Sequence, residues 1–356
     1  MFADAEQRLM AAIALQIKAG LDAGTDPVKA IQLGVLKRQA QQLVAALKAA
    51  TPQMLAHLMT TATDMGTAAA LTELSAMAGV PDTAVTGALG GAQAARLATA
   101  DLTNTFNDVT KRILRVPQDI YRKAVGQSVT DSLLGLGTNR QSQAKAWQRL
   151  ISVGVKGFED KSGRQWNLAT YTEMATRTAA RRAWEEQHVA TMEQHGITLV
   201  SIVVGSDACK KCADWSGKIL RTDAGPTGRI QVDSAVGTGK VTVNVEGTIP
   251  QATGKGWHHP NCRCSSVAYM PGLSIVEDAT HYDPQAEADR EHLRLLERTI
   301  RAEKMDMAAA IDPLQVTDGR KKIRALQAEI AAHVKRTGLI RQRHREQVNL
   351  GNAGPA

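Results

Sequence analysis

Ile197-Thr198-Leu199-Val200-Ser201-Ile202-Val203-Val204-Gly205-Ser206-Asp207-Ala208-Cys209-Lys210-Lys211-Cys212 decides the class of this chain. A β-branched run of strand length interrupts a sequence that otherwise reads as helix, and it leads into a Cys-x-x-Cys. Upstream, a long helical stretch from about Leu168 to His195 meets Gly196, a good residue just past a helix C-terminus. Downstream, Val241-Thr242-Val243-Asn244-Val245 alternates like a hairpin strand within a Gly/Thr-rich stretch, 221–256, and residues 262–269 read as a closing strand. The expectation is an α+β protein, predominantly helical, with one small mixed module at its centre.

The module carries the chemistry. Cys209-x-x-Cys212 is followed fifty positions later by His259-Pro260-Asn261-Cys262-Arg263-Cys264, so all four cysteines of the chain fall within 56 positions. A Cys-x-x-Cys turn aims two sulfurs at one point, and in an extended segment Cys262 and Cys264 project from the same face. Four soft ligands drawn from Cys209, Cys212, Cys262, Cys264 and His259 suit a structural zinc. Lys210, Lys211 and Arg263 would favour the thiolates and offset the negative charge. Packed free thiols, or disulfides formed outside the cytoplasm, are the alternatives.

The flanks differ in texture. Residues 1–140 read as successive Ala-, Leu-, Thr- and Gln-rich helices, with start signals at Asp26-Pro27 and Thr51-Pro52 and breaks at Gly79-Val80-Pro81 and Gly90-Gly91. They form either a bundle or an extended interaction arm. Residues 141–284 hold all five tryptophans and every cysteine, the composition of a compact unit. Within them, Lys161-Ser162-Gly163 supplies a tight turn between two short extended pieces ending at Phe158 and Trp166. Residues 285–356 return to helix and end loosely. From 285 to 346 there are 14 Lys/Arg against 10 Asp/Glu, and Arg290, Arg294, Arg298, Arg301, Arg320, Lys321, Lys322 and Arg324 line helix faces that could meet DNA or an acidic protein surface.

Composition removes several classes. The 356 residues exceed one ordinary core, and three Phe with 3% aromatics argue against an all-β sandwich. No apolar run is long enough to span a bilayer, and Asp4 and Glu6 stand where a signal peptide carries cations, so the chain reads as soluble and not exported. A net charge of +8 permits acidic partners without demanding them. His258 and His259 beside cysteines raise a second reading, a zinc-dependent nucleic-acid enzyme or toxin-like effector. Yet Ser265-Ser266-Val267-Ala268-Tyr269 follows where such a nuclease needs an Asn and a His on a helix, and no catalytic residue is assigned. On the central helix Glu173 and Arg177 stand four apart. They form either an exposed ion pair or a polar clamp to the cysteine region, with Trp166 and Tyr171 packed beside it.

Taken jointly, the run from Phe158 to Trp166, the stretch Tyr171 to Thr178, Gly205 to Cys212 with Trp215 to Ile219, and His259 to Cys264 resemble the phage minor capsid protein 2 family, which is similar to the Mu F-like head morphogenesis proteins of tailed phages. The resemblance continues through Leu295 to Arg301 and Thr337-Gly338-Leu339, covering roughly 145–345; the N-terminal third resembles the family only in position and helical character. It implies a low-copy structural protein of the virion, assembled in the host cytoplasm. Such a protein sits near the portal vertex or in the head interior and acts in head assembly or genome packaging and delivery. The implied partners are the portal protein, the major capsid or scaffold protein and packaged DNA, with no membrane involved in assembly and no enzymatic activity.

Overall fold

The computed structural model describes residues 2–22, 33–77, 91–133, 158–159, 165–166, 168–205, 208–276, 281–310 and 312–348. Three long helices come first: α1 (Phe2–Asp22), α2 (Leu33–Ala76) and α3 (Gly91–Leu133). The short strands β1 (Phe158–Glu159) and β2 (Gln165–Trp166) pair antiparallel, Phe158 opposite Trp166, and α4 (Leu168–Gln194) follows. A five-stranded sheet is then built from β3 (Leu199–Val203), β4 (Ile219–Arg221), β5 (Gly228–Asp233), β6 (Lys240–Thr248) and β7 (Ser265–Ala268). Two short helices interrupt it, α5 (Lys210–Ala213) and α6 (Ile249–Gly254). A hairpin of α7 (Pro284–Ala308) and α8 (Pro313–Thr337) leads to a 3-10 turn, Arg343–Glu346. The fold is thus α+β and predominantly helical, as the sequence suggests.

Contacts divide the chain into two compact units, one of Met1–Thr51, Thr105–Glu173 and Asp289–Ala356, the other of Pro52–Asn104 and Met174–Ala288. The second holds the sheet and every cysteine, and it draws part of α2 from the Ala-rich region. The Thr51-Pro52 start signal lies inside α2 rather than at a helix end. Proline removes one intrahelical donor, a loss that a helix packed through its other residues tolerates.

In the sheet unit the strand order is β5-β6-β4-β3-β7, parallel only between β4 and β6. Alternation sends Val200, Ile202, Leu220 and Ala268 to one face, where they pack with Ala70 of α2, Met192 of α4, Trp215, Ala252 and Trp257. Leu199, Val243 and Val245 form a second cluster with Ile219, Ile230, Val232, Val241 and Tyr269. A Cβ on Gly66 would overlap the Trp184 carbonyl, so glycine there permits the close approach of α2 to α4. Helix α4 ends as expected at Gly196, whose φ of 80° closes a Schellman pair, Gly196 N–H to Glu193 O at 2.9 Å and Ile197 N–H to Met192 O at 3.0 Å.

In the other unit each long helix buries a helical-period stripe: Leu9 and Ile13 on α1, Leu36, Ala40, Val44 and Leu47 on α2, Phe106, Val109 and Ile113 on α3. The C-terminal hairpin packs Leu293, Leu296 and Ile300 against Ile330, with Ile323, Leu326, Val334 and Leu339 around them. Asp312 caps α8 in a reciprocal box with Gln315, and Pro313 takes its first turn.

Candidate metal centre

The site is assembled from two segments that the sheet carries side by side. Past β3, Cys209 caps the single turn of α5, with Cys212 N–H and Ala213 N–H both donating to the Cys209 carbonyl, so the two thiols lie on one side of that turn. Past β6, Thr248 and Gln251 cap α6 reciprocally, and the chain reaches Trp257, His258 and His259. His258 and Asn261 both adopt left-handed backbone, at φ 58° and 66°, and this double bend carries His259 and Cys262 back toward α5.

The donors then converge. His259 Nε2 lies 3.0 Å from Cys209 Sγ, and Cys212 Sγ lies 3.4 Å from Cys262 Sγ. The donor atoms of Cys209, Cys212 and His259 all lie within 4.8 Å of one another, and so do those of Cys212, Cys262 and Cys264. Cys212 belongs to both triads. A tetrahedral zinc, with bonds of about 2.0–2.3 Å to nitrogen and sulfur, separates its ligands by roughly 3.5–3.8 Å; either triad could hold a metal ion, with Cys212 common to both. The structure therefore brings together all five residues that the sequence nominates.

The thiols control one another. Hydrogen bonds from Cys212 and Cys264 hold the Cys262 thiol well below its ordinary range, and the same bond to Cys262 pushes Cys212 far up. Contact with Cys212 favours ionisation of Cys264, but the bond to Cys262 and burial outweigh it and push that thiol up. Thiol neighbours, rather than Lys210, Lys211 and Arg263, set these shifts.

The loop is held from below by one face of α4. Arg177 Nη1 donates to Asn261 Oδ1 at 3.2 Å, Asn261 N–H donates to Thr178 Oγ1 at 3.2 Å, and Arg181 Nη2 donates to the Cys264 carbonyl at 3.0 Å. One turn further on, buried Glu185 accepts from Ser266 N–H at 3.0 Å and from the Ser266 hydroxyl. Arg177 is thus directed at the ligand loop. Glu173 accepts from Arg301 at 3.1 Å, Tyr171 is half-buried, and the Trp166 side chain lies outside the described residues.

Thr178, Arg181 and Glu185 were not nominated by the sequence. Their signal is the spacing 177, 178, 181, 185 on one helix face, which only the position of the loop turns into a site. His258 does not join the donors: its ring stacks on Trp257 at 4.3 Å, and Nε2 faces the Cys264 carbonyl at 3.2 Å with Glu185 Oε2 at 3.8 Å.

Among the nominated basic residues, Arg301 is engaged by Glu173, while Arg290 and Arg294 are half-buried. Arg298, Arg320, Lys321, Lys322 and Arg324 are exposed, Lys321 beside Asp318 at 3.6 Å and Lys322 beside Glu303 at 3.5 Å. No helix among the described residues is long and apolar enough to cross a membrane.

Among protein families, the one described as Phage minor capsid protein 2 matches residues 1–335, and so includes the N-terminal helices as well as the cysteine module. No curated protein and no solved structure shows significant similarity to the chain.

Proposed function

Since the chain belongs to the phage minor capsid protein 2 family, and is thereby a structural component of the virion, we propose that it is a low-copy head-assembly protein in which a zinc-stapled sheet module displays helical segments to the portal vertex. The observation that carries the metal is the convergence of Cys209 and Cys212 of the α5 turn with His259, Cys262 and Cys264 of a loop held by Arg177, Thr178, Arg181 and Glu185. Cys212 and a further three of Cys209, Cys262, Cys264 and His259 would hold the ion, which supplies a crosslink between the two segments and no chemical step.

The portal protein and the major capsid or scaffold protein would meet the helical segments, and packaged DNA would meet the exposed cations of α8 and Arg298 through weak, salt-sensitive contacts. The enzymatic alternative through His258 and His259 has less support: the first ring is buried against Trp257, and the second is aimed at Cys209. The test is location and metal in the same particles. Purified virions, intact and emptied of DNA, should retain the protein at the portal vertex, and the purified chain should contain about one zinc. Protein released with the DNA, or a chain without zinc whose Cys212→Ser variant is as stable as wild type, overturns the corresponding half of the reading.

A further inference from the structure

The two edges of the five-stranded sheet are treated differently. In the β3–β7 ladder, Tyr269 N–H donates to the Leu199 carbonyl, and Val267 lies opposite Ser201, so the amides of Ser266 and Ala268 point outward. Both are covered by carboxylates: Ser266 N–H donates to Glu185 at 3.0 Å and Ala268 N–H to Glu73 at 3.0 Å. That edge cannot accept another strand.

Among the described residues, no side chain covers the β5 edge in this way. Ser234 N–H donates to the Gly239 carbonyl at the hairpin end, and the register steps back through Val232 opposite Val241 and Ile230 opposite Val243. The amides and carbonyls of Arg229, Gln231 and Asp233 therefore point away from β6. Those three residues are exposed, and no ion pair among the described residues engages Arg229 or Asp233. Ile230 and Val232 face the other way, into the cluster around Val243, and are only half-covered.

Charges on an edge normally discourage pairing. Here they are of opposite sign and equidistant from Gln231. We propose that β5 pairs antiparallel with β5 of a second copy of this chain, about a two-fold axis at Gln231. In that register Arg229 of each copy faces Asp233 of the other, Gln231 faces Gln231, and every outward amide meets an outward carbonyl. Ile230 then lies across from Val232 at the closer, non-hydrogen-bonded positions, where side chains touch most. Shifting the register by one residue sets outward backbone groups against inward ones. Shifting it by two removes the charge matches. A parallel pairing in register sets like charges side by side. The opposite signs thus select one partner strand and one register.

The experiment is sedimentation of the full-length, metal-loaded protein over a concentration series. Wild type should dimerise. Arg229→Asp sets a carboxylate against Asp233 of the other copy twice over and should weaken the dimer roughly tenfold. Arg229→Asp combined with Asp233→Arg should restore it to within about threefold of wild type. Gln231→Pro removes only an outward amide, so it should keep the fold, checked by its melt, and abolish the dimer. A wild type that stays monomeric at about 100 μM overturns the proposal. So does a dimer unaffected by Gln231→Pro, or a double variant no better than Arg229→Asp, and each of these outcomes leaves the edge to a strand of another protein.

Discussion

The cysteine loop, residues 257–264, and the C-terminal hairpin, residues 284–346, hold their shapes by opposite means. The hairpin is self-sufficient: a capping box at Asp312, a left-handed Gly338 at the end of α8 and one apolar stripe are all encoded within it. Its tail is fastened by buried Glu346, which accepts from Arg341 at 2.6 and 2.9 Å and from Gln327 at 3.1 Å. The loop contains little that would fold it. It holds two left-handed non-glycine residues, and its bend is maintained by side chains of α4 some eighty positions earlier and by converging thiols. One segment is specified by its own period, the other by what surrounds it.

Removing the thiol centre should break that contrast most. Cys212 lies in both donor triads, so Cys212→Ser or chelation should destabilise the sheet unit by several kcal/mol, since metal binding energy becomes folding energy. Thermal melts followed by tryptophan fluorescence report this unit once Trp147 and Trp166, which belong to the other unit, are replaced by Phe so that only Trp184, Trp215 and Trp257 remain, and the change should be absent from probes placed on α8. An unchanged tryptophan transition would show that the loop needs no ion.

Cutting the loop from its platform comes next. Glu185→Ala leaves Ser266 N–H and its hydroxyl without their buried acceptor and removes the carboxylate beside His258 and Arg181, a cost of about 2–4 kcal/mol. A loss under about 1 kcal/mol in denaturant titrations would mean that the contacts of Arg177 and Arg181 suffice.

The hairpin should respond less. Arg341→Met leaves the Glu346 carboxylate buried with Gln327 as its remaining close partner, for about 1–3 kcal/mol. Its pH dependence has a definite sign. Burial raises the Glu346 pKa, but the hydrogen bonds from Arg341 and Gln327 outweigh it and hold the folded value below the ordinary 4.5. The stabilisation is therefore complete above about pH 4.5 and disappears as pH falls through the lower folded value. Buried Glu297 has the opposite sign, because burial raises its folded pKa. Its contribution to stability declines as pH rises from 4.5 through that raised value. Acid titration of Arg341→Met should show a shallower loss below pH 4.5 than wild type, and an identical slope would remove Glu346 from the account.

These contrasts also explain what could be read from the residues alone. Helix α4 with its Gly196 stop, the alternation of β6 and the stripe of α7 are periodic and local, so spacing exposes them. The five donors were visible because cysteines occur nowhere else. Thr178, Arg181 and Glu185 were not visible, because their partners at 261–266 approach only through the fold. The place of α2 in the sheet unit was hidden for the same reason: Ala70, Glu73 and Gly66 look like any residues of an Ala-rich helix until the core reaches them. The tie of Arg341 to Glu346 is local yet has no period to announce it.

The smallest effect on folding belongs to the cations of α8. Arg320, Lys321, Lys322 and Arg324 are exposed, and the pairs with Asp318 and Glu303, at 3.6 and 3.5 Å, are surface pairs screened by salt. Replacing all four by alanine, the best helix former, should change stability by less than about 1 kcal/mol, because lost pairs are offset by improved propensity. A surface that contributes so little to folding is free to serve binding. If packaged DNA is the partner, each lost phosphate contact should reduce the slope of log affinity against log salt by about 0.9. Filter binding of wild type and the fourfold variant to duplex DNA, between about 50 and 200 mM salt, distinguishes the cases. A reduced slope with an unchanged melt assigns these cations to DNA, whereas equal slopes with equal melts assign them to solvation of the helix.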